Sequence, residues 1–574
     1  MSEEKKLSAN EYLKIESNYL RGTLAEELAD TSTGGISEGA GQMIKFHGCY
    51  VQDDRDLRAS RRQHKLEKAY SFLMRVRIPG GVVSPKQWLQ MDWISENFAN
   101  HTLKLTTRQA FQLHGVIKTQ LKRTIQEMDK VALDCIAACG DVNRNVMCNP
   151  NPHLSETHAE TVKLARDISE HLLPQGGAYH EIFLDQEKVI SSEEVVEPIY
   201  GKTYLPRKFK IAIAVPPSND VDIHANDLSF IAVQDENNKL LGYNVAVGGG
   251  MGMTHGVDAT YPRLADIIGF VTPDKAVDVA EKVILVQRDF GDRTDRKHSR
   301  LKYTIDDRSA DWFLKTLNEY LGYDLEPVRE FEFTTNGDNF GWHEDERGMF
   351  HLNLFIQGGR VVDSPAFPIK TGLREIAKIH DGEFRLTANQ NLAISNISPE
   401  KRPEIEKLLE EYKILKSHER SALRLHSIAC VALPTCGLAL AEAERYLPDV
   451  ITELEEVVEE CGLRHDAITI RMTGCPNGCG RPFLAEIGFV GRGPDKYNMY
   501  LGGGHAGHRL NKLYRESVPG SEIKNVLRPI IEDYAKSREE GEKFGDFVIR
   551  AGYVAATVNG KDFHKNVKTE VVAS

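Results

Sequence analysis

Alternating apolar and polar residues mark short strands along much of the chain, and the clearest of them place cations on the polar parity. In SFLMRVRI, Phe72, Met74, Val76 and Ile78 point one way while Arg75 and Arg77 point the other. In TLKLTTRQAFQLHG, Leu103, Leu105, Phe111 and Leu113 take one face; Lys104, Thr106, Arg108, Gln112 and His114 take the other, provided one strand runs through. In RKFKIAIAV, Lys208 and Lys210 share a face with Phe209, Ile211 and Ile213 behind them, within a strand expected over Phe209–Val215. Apolar residues at Ile117, Leu121, Ile125, Met128 and Ala132 predict an amphipathic helix. Further helices are predicted over Pro85–Ala99 and Thr371–His380.

These elements recur. SFLMRVRIPGG, a helix and HTLKLTTRQAFQLHG are matched by FHLNLFIQGG, a helix and GEFRLTANQNLAIS, each unit closing on LT-x-x-Q at Leu105–Gln109 and Leu386–Gln390. Cys148, Pro152 and Ala159-Glu160 are likewise matched by Cys430, Pro434 and Ala441-Glu442 at one constant spacing. The pattern predicts an α+β protein: internally duplicated, with mixed-sheet domains about a pseudo-two-fold axis and a large ligand in the groove between the halves. Residues 1–70, Gly-rich and highly charged, read as an arm that is partly disordered or docks a partner. Residues 71–136 and 343–416 are the paired repeat units. Residues 137–342 and 417–574 form two further α+β domains. VGGGMGM and LGGGHAGHR read as turns, because neither gives G-x-G-x-x-G between a strand and a helix.

The net charge of −12 argues against nucleic acid, which demands a basic surface. No apolar run approaches the roughly 20 residues of a membrane span, and the polar start of the chain points to a cytoplasmic address. Nine cysteines, unevenly placed, suit metal ligation better than a disulfide framework. Cys430 and Cys436 (CVALPTC) and Cys475 and Cys479 (CPNGC) could hold a tetrahedral zinc or a four-iron cluster. The five-residue gap with its internal proline fits a zinc knuckle poorly, and an apolar helix start is expected at Gly437. Pro476, Gly478 and Gly480 would wrap the backbone so that amides face cluster sulfurs. Cys49, Cys135, Cys139, Cys148 and Cys461 read as small buried hydrophobes, with Cys135 and Cys139 in a helical stretch.

The second copy of the repeat has Asn353 and Asn389 where the first has Arg75 and Arg108. One half therefore keeps cations and the other keeps thiols, as a polyanionic ligand between them would require.

With its motifs LTTRQAFQLHG, VNRNV, YLPRKFK, TANQN and TGCPNGCGR, the chain resembles the sirohaem-containing sulfite and nitrite reductase family over nearly its whole length. The likeness is greatest to the haemoprotein subunits of NADPH-dependent assimilatory sulfite reductases. The resemblance implies ferredoxin-like half-domains and a [4Fe-4S] cluster on Cys430, Cys436, Cys475 and Cys479, with Cys479 also bridging to the sirohaem iron. It implies that Arg75, Arg144, Lys208 and Lys210 bind sulfite. Lys104, Arg108, Gln112, His114, Arg207, Gln390 and Asn477 would hold the sirohaem; Lys104 departs from the arginine usual in the family. The implied reaction is six-electron reduction of sulfite to sulfide, serving cysteine biosynthesis. The chain has no flavin or nucleotide motif, so NADPH, FAD and FMN would act only through a partner flavoprotein. A ferredoxin-dependent nitrite reductase is the alternative within the family, and a zinc-bearing scaffold on the same four cysteines the alternative outside it.

Overall fold

The computed structural model of the chain describes residues 6–17, 20–175, 181–184, 187–191 and 197–565. Two five-stranded sheets repeat one design. The first runs Cys49–Asp53, Tyr70–Arg75, Phe111–Val116, Leu103–Leu105, Arg360–Val361; the second runs Gly341–Glu344, Phe350–Leu354, Leu392–Ile397, Glu383–Leu386, Val82–Val83. Each sheet thus takes its last strand from the other repeat. Arg360 pairs with Lys104 and Val361 with Leu103, while Val82 pairs with Arg385 and Val83 with Phe384.

The Gly-Gly turns make this exchange possible. Gly81 (φ +76°) and Gly359 (φ +67°) run so close to the opposite repeat that a Cβ would lie 2.3 Å from the carbonyl oxygens of Leu386 and Leu105 respectively. Only glycine tolerates both the conformation and the approach. The helices Pro85–Phe98 and Ile369–Ile379 follow these turns and pack on each other. Ser84 and Gln87 form a capping box at the start of the first, and its Trp88, 1% exposed, stacks on Phe384 of the other repeat at 4.7 Å.

LT-x-x-Q does not lie within one strand. Leu103–Leu105 and Phe111–Val116 are the arms of a hairpin, and the chain turns at Gln109 (φ +50°) as its counterpart does at Gln390 (φ +69°). Lys104 still lies opposite Gln112, so the polar face survives, but Arg108 leaves it for the turn. Each glutamine clamps a backbone. Gln109 Nε2 donates to Cys148 O at 2.8 Å and its Oε1 accepts from Cys148 N at 3.0 Å; Gln390 does the same to Ala429 at 2.9 and 3.3 Å. The structural equivalent of Cys148 is therefore Ala429, one residue before the cysteine that sequence spacing selects.

The remaining domains are duplicated too. Met147 bridges Ala212 in parallel, then Ile211–Ala214 runs parallel to Leu228–Gln234, and Leu240–Val247 and Asp266–Val271 follow antiparallel. The cysteine domain repeats the succession: Ser427–Ala429, Ile470–Thr473 and Ile487–Gly493 in parallel, then Lys496–Leu501 and Lys512–Pro519 antiparallel. The two Gly-rich stretches are the same turn in each copy, with Gly248 N donating to Asp227 O and Gly502 N to Glu486 O.

Three expectations change. Among its described residues the leader is folded onto the body: Lys14 Nζ donates to Leu205 O at 2.9 Å, Leu20 is fully buried, and Cys49–Asp53 is the edge strand of the first sheet. The helix of residues 117–132 shrinks to Leu121–Asp129, with Ile117 and Ile125 exposed, because Ala132 takes φ +53° and ends the period. Neither Cys135–Cys139 nor the segment after Gly437 is helical; the next helix begins at Leu447.

Candidate functional site

The four cysteines follow the ends of two parallel strands. Cys430 succeeds Ser427–Ala429, held by Gln390, and Cys475 and Cys479 succeed Ile470–Thr473. Gly474 N donates to Cys430 Sγ at 3.3 Å, and its carbonyl accepts from Leu440 N and Ala441 N, folding the first cysteine loop onto the second. A Cβ on Gly474 would strike Ala441 O at 2.6 Å and Ala432 Cβ at 2.7 Å, so this closure depends on glycine. Burial and the neighbouring thiols Cys479, Cys475 and Cys436 raise the pKa of Cys430; Cys436 and Cys475 are raised by burial and by Cys479. Cys430, Cys436 and Cys475, whose ionisation is disfavoured in this way, need a cation to hold them as thiolates. Among the described residues no three His, Cys, Asp or Glu side chains close to the spacing of a single ion, for which tetrahedral thiolates stand about 3.8 Å apart.

Facing this corner is a group of cations. Thr107, from the repeat hairpin, donates through Oγ1 to Cys479 O at 3.0 Å. Cys479 lies close enough to Arg75, Lys208 and Lys210 to interact electrostatically with each. Arg75 donates from Nη1 to Cys139 Sγ at 3.1 Å and from Nη2 to Gln112 Oε1 at 2.9 Å, and lies over the Tyr50 ring. Arg144 is fixed by Gly140 O at 2.9 Å and Ala138 O at 3.2 Å.

Arg207, Lys208, Lys210 and Arg300 differ from these. Among the described residues none of the four side chains has a hydrogen-bond or ion-pair partner, although Arg300 is only 7% exposed. Burial, then Arg300, Arg207 and Lys210, push the Lys208 amine well down; burial, Arg108 and Arg300 push Lys210 down to about 7; burial and Arg296 push Arg207 down to about 10. Arg207 and Arg300 meet Asn477, Arg296, Thr254 and Tyr303 around a cavity of about 280 Å³. Clustered cations with so few carboxylates among them, none within ion-pair distance of the four among the described residues, are costly, so this corner is built for a polyanion. A tetrapyrrole bearing many carboxylates fits that requirement, and four thiols closing on a glycine-lined corner fit an iron–sulfur cluster.

Other expected cofactor residues are engaged elsewhere. Lys104 Nζ meets Glu444 Oε2 at 2.7 Å and the Gly358 carbonyl, and Arg360 grips the same carboxylate at 2.6 Å. Arg108 donates to Asn226 Oδ1 at 2.7 Å and to the carbonyls of Asn145 and Ile211, leaving its Nε buried and unpaired. His114, kept neutral by burial and the cations around it, donates from Nδ1 to Gln52 Oε1 at 3.2 Å and accepts from Gln112 Nε2 at 2.9 Å. That leaves Gln112 free to accept from Arg75. Gln390 binds Ala429 through both ends of its amide. These side chains fix the walls of the pocket. Sequence reasoning passed over Arg296, Arg300 and Tyr50; the basic run RTDRKHSR in an acidic chain signals the first two, while nothing local marks Tyr50.

Comparison with known proteins identifies the family. Residues 64–131 and 343–412 match the nitrite/sulfite reductase ferredoxin-like half domain, and residues 164–325, which include Lys208, Lys210 and Arg300, match the nitrite and sulphite reductase 4Fe-4S domain. Proteins named sulfite reductase [NADPH] hemoprotein beta-component are similar end to end. That of Oceanobacillus iheyensis is 57% identical over 97% of this chain and 96% of its own, and that of Anoxybacillus flavithermus is 58% identical over 96% and 97%. The solved structure of Mycobacterium tuberculosis NirA superposes with a TM-score of 0.77 at 26% identity, covering 95% of this chain and 97% of that one. With its half-domains, its cation-lined corner and its relatives all in accord, the chain belongs to the nitrite and sulphite reductase family.

Proposed function

We propose that this chain is the haemoprotein component of an assimilatory sulfite reductase, converting sulfite to sulfide with six electrons at a sirohaem coupled to a [4Fe-4S] cluster. The observation behind this reading is the set of four unpartnered cations facing four cysteines across one corner. Cys430, Cys436, Cys475 and Cys479 would hold the cluster, Cys479 being the exposed member that reaches the haem. Arg207, Arg300 and Asn477 would take haem carboxylates. When bound, the haem and cluster supply low-potential electrons singly to the substrate sulfur.

The chain's own residues bind and neutralise the anion. Arg75 and Arg144, held by backbone and side-chain acceptors, offer fixed guanidinium groups that need no reorganisation as negative charge builds. Lys210, with its pKa pushed down to about 7, can hold a proton and release it to a departing oxygen at neutral pH; Lys208, on the same strand face, is pushed well below its ordinary value by burial and the neighbouring cations. Electrons would come from an FAD- and FMN-bearing flavoprotein that oxidises NADPH, docking beside the exposed Leu438 and the charged segment Arg55–Lys68 that adjoins the cysteine loop through Arg55. A cytoplasmic location accords with that donor.

Steady-state turnover with a chemical reductant decides between substrates. The reading expects a higher kcat/KM for sulfite than for nitrite. The reverse order makes the protein a nitrite reductase.

A further inference from the structure

Among the buried carboxyl groups of the described residues, Asp227 is the one with both oxygens lacking a well-formed hydrogen bond. It is 1% exposed, and neither carboxyl oxygen has a hydrogen bond of good geometry among the described residues, although the Lys210 backbone N–H bears on it. Its place is fixed by the parallel ladder. Ile211 lies opposite Leu228, and Leu228 N donates to Lys210 O at 3.1 Å, so Asp227 and Lys210 stand side by side where the two strands begin. Carboxyl groups are not left unpaired in a protein interior for stability, since the unmet desolvation cost is large.

The duplicated domain supplies the comparison. Ile470 lies opposite Ile487 in the equivalent ladder, so Glu486 occupies the position of Asp227 and Thr469 that of Lys210. Glu486 is fully buried as well, but its oxygens are saturated: Oε2 accepts from Thr469 N at 2.8 Å and from His505 Nδ1 at 3.1 Å, and Oε1 from Gly545 N at 3.0 Å. The half without substrate cations uses the carboxylate as a structural acceptor. In the other half no side chain hydrogen-bonds to the carboxyl among the described residues, and the charges of Arg300, Lys210 and Arg108 bear on it instead.

We propose that Asp227 is the positioning residue for proton supply, the counter-charge that keeps the Lys210 amine protonated at neutral pH within a wall of arginines. This rests on the reading of Lys210 as a substrate-side proton donor. The groups bearing on Asp227 are Arg300, Lys210, Arg108 and Lys302, and those bearing on Lys210 are Arg108, Arg300, Asp227, Lys208 and the thiol of Cys479. Of these, Asp227 and Cys479 are the two that favour the ammonium; the others oppose it. Burial raises Asp227 above the usual carboxylate range and lowers Lys210 to about 7, so the two protonation equilibria are drawn towards each other. Without the carboxylate, Arg108 and Arg300 act on the amine unopposed from this side, and it deprotonates at lower pH.

The test is the pH profile of sulfite turnover by the haem-loaded Asp227→Asn variant, driven by a chemical reductant. The alkaline limb should move to lower pH by about one unit, so that relative activity falls about tenfold at pH 8 and much less at pH 6. A variant whose rate drops by one factor at every pH, or whose limb does not move, overturns the assignment. Should Asp227→Asn emerge without haem, Asp227→Glu decides by itself: an alkaline limb at the parental position supports the role, and a displaced one refutes it. If the parental enzyme itself fails to reduce sulfite, the functional reading falls, and this result is separate from either outcome in the variants.

Discussion

Glu444→Gln probes the join between the two repeats and the cysteine loop. Glu444 is 12% exposed on its side chain and binds Lys104, which is 1% exposed, and Arg360, the two residues that face each other in the exchanged strand pair. Its own amide donates to Cys430 O at 3.1 Å, so the ion cluster backs directly onto a cysteine. Burial alone would raise the Glu444 carboxyl, but Lys104 and Arg360 hold it down at about 2, against an ordinary 4.5. That difference corresponds to about 3 kcal/mol of stability. The partner gives a less favourable view: burial lowers the Lys104 ammonium despite Glu444. The net worth of the pair is therefore smaller than the carboxylate figure. Removing Glu444 is a different operation, because it leaves Lys104 and Arg360 buried beside each other with no anion, a loss of about 3–5 kcal/mol. Guanidinium denaturation followed by circular dichroism should show a clearly lowered midpoint for Glu444→Gln. The double variant with Lys104→Met should regain much of the loss. Since the folded pKa is depressed, the parental increment is complete above pH 4.5 and is lost as pH falls towards 2; the variant should be flat across that window. An unchanged midpoint for Glu444→Gln would refute the claim that this cluster holds the repeats together.

Lys210→Met should reduce sulfite turnover at least about tenfold and abolish the titration near pH 7; a parental pH profile would remove Lys210 from proton delivery. Replacing Arg207 and Arg300 together by Met should give a folded protein that purifies with markedly less haem absorbance, and full haem occupancy would show that these cations serve another anion. Gly359→Ala should cost about 1–3 kcal/mol because its φ is +67° and its new methyl meets Leu105 O at 2.3 Å. Gly81→Ala should match it by symmetry, and thermal unfolding of the two variants compares them directly.

Much of the site is legible in the sequence because strand parity is local. Lys208 and Lys210 can be assigned to one face from RKFKIAIAV alone, and the cysteine pairs announce themselves by spacing. The duplication also shows, since the Gly-Gly turns and LT-x-x-Q are constrained by the same close approach in both copies. What the sequence conceals is long-range. Nothing near Val82 or Arg360 says that each strand leaves its own repeat for the other sheet, because that pairing spans hundreds of residues. LT-x-x-Q looks like continuous strand because Gln109 is not a residue type associated with positive φ; its amide clamp on Cys148 outweighs the local cost. Polar residues on the site face read alike by parity, yet Lys104 is spent on Glu444 from the cysteine domain, and Lys208 is spent on nothing. Only the tertiary contacts separate a wall from a ligand.

The most direct measurement is the optical spectrum of the purified protein together with its iron, zinc and acid-labile sulfide content. A cation-lined corner opposite four cluster thiolates predicts a tetrapyrrole absorption band with on the order of five irons and four sulfides per chain. Zinc at one per chain without iron, or iron and sulfide with no tetrapyrrole band, would contradict it.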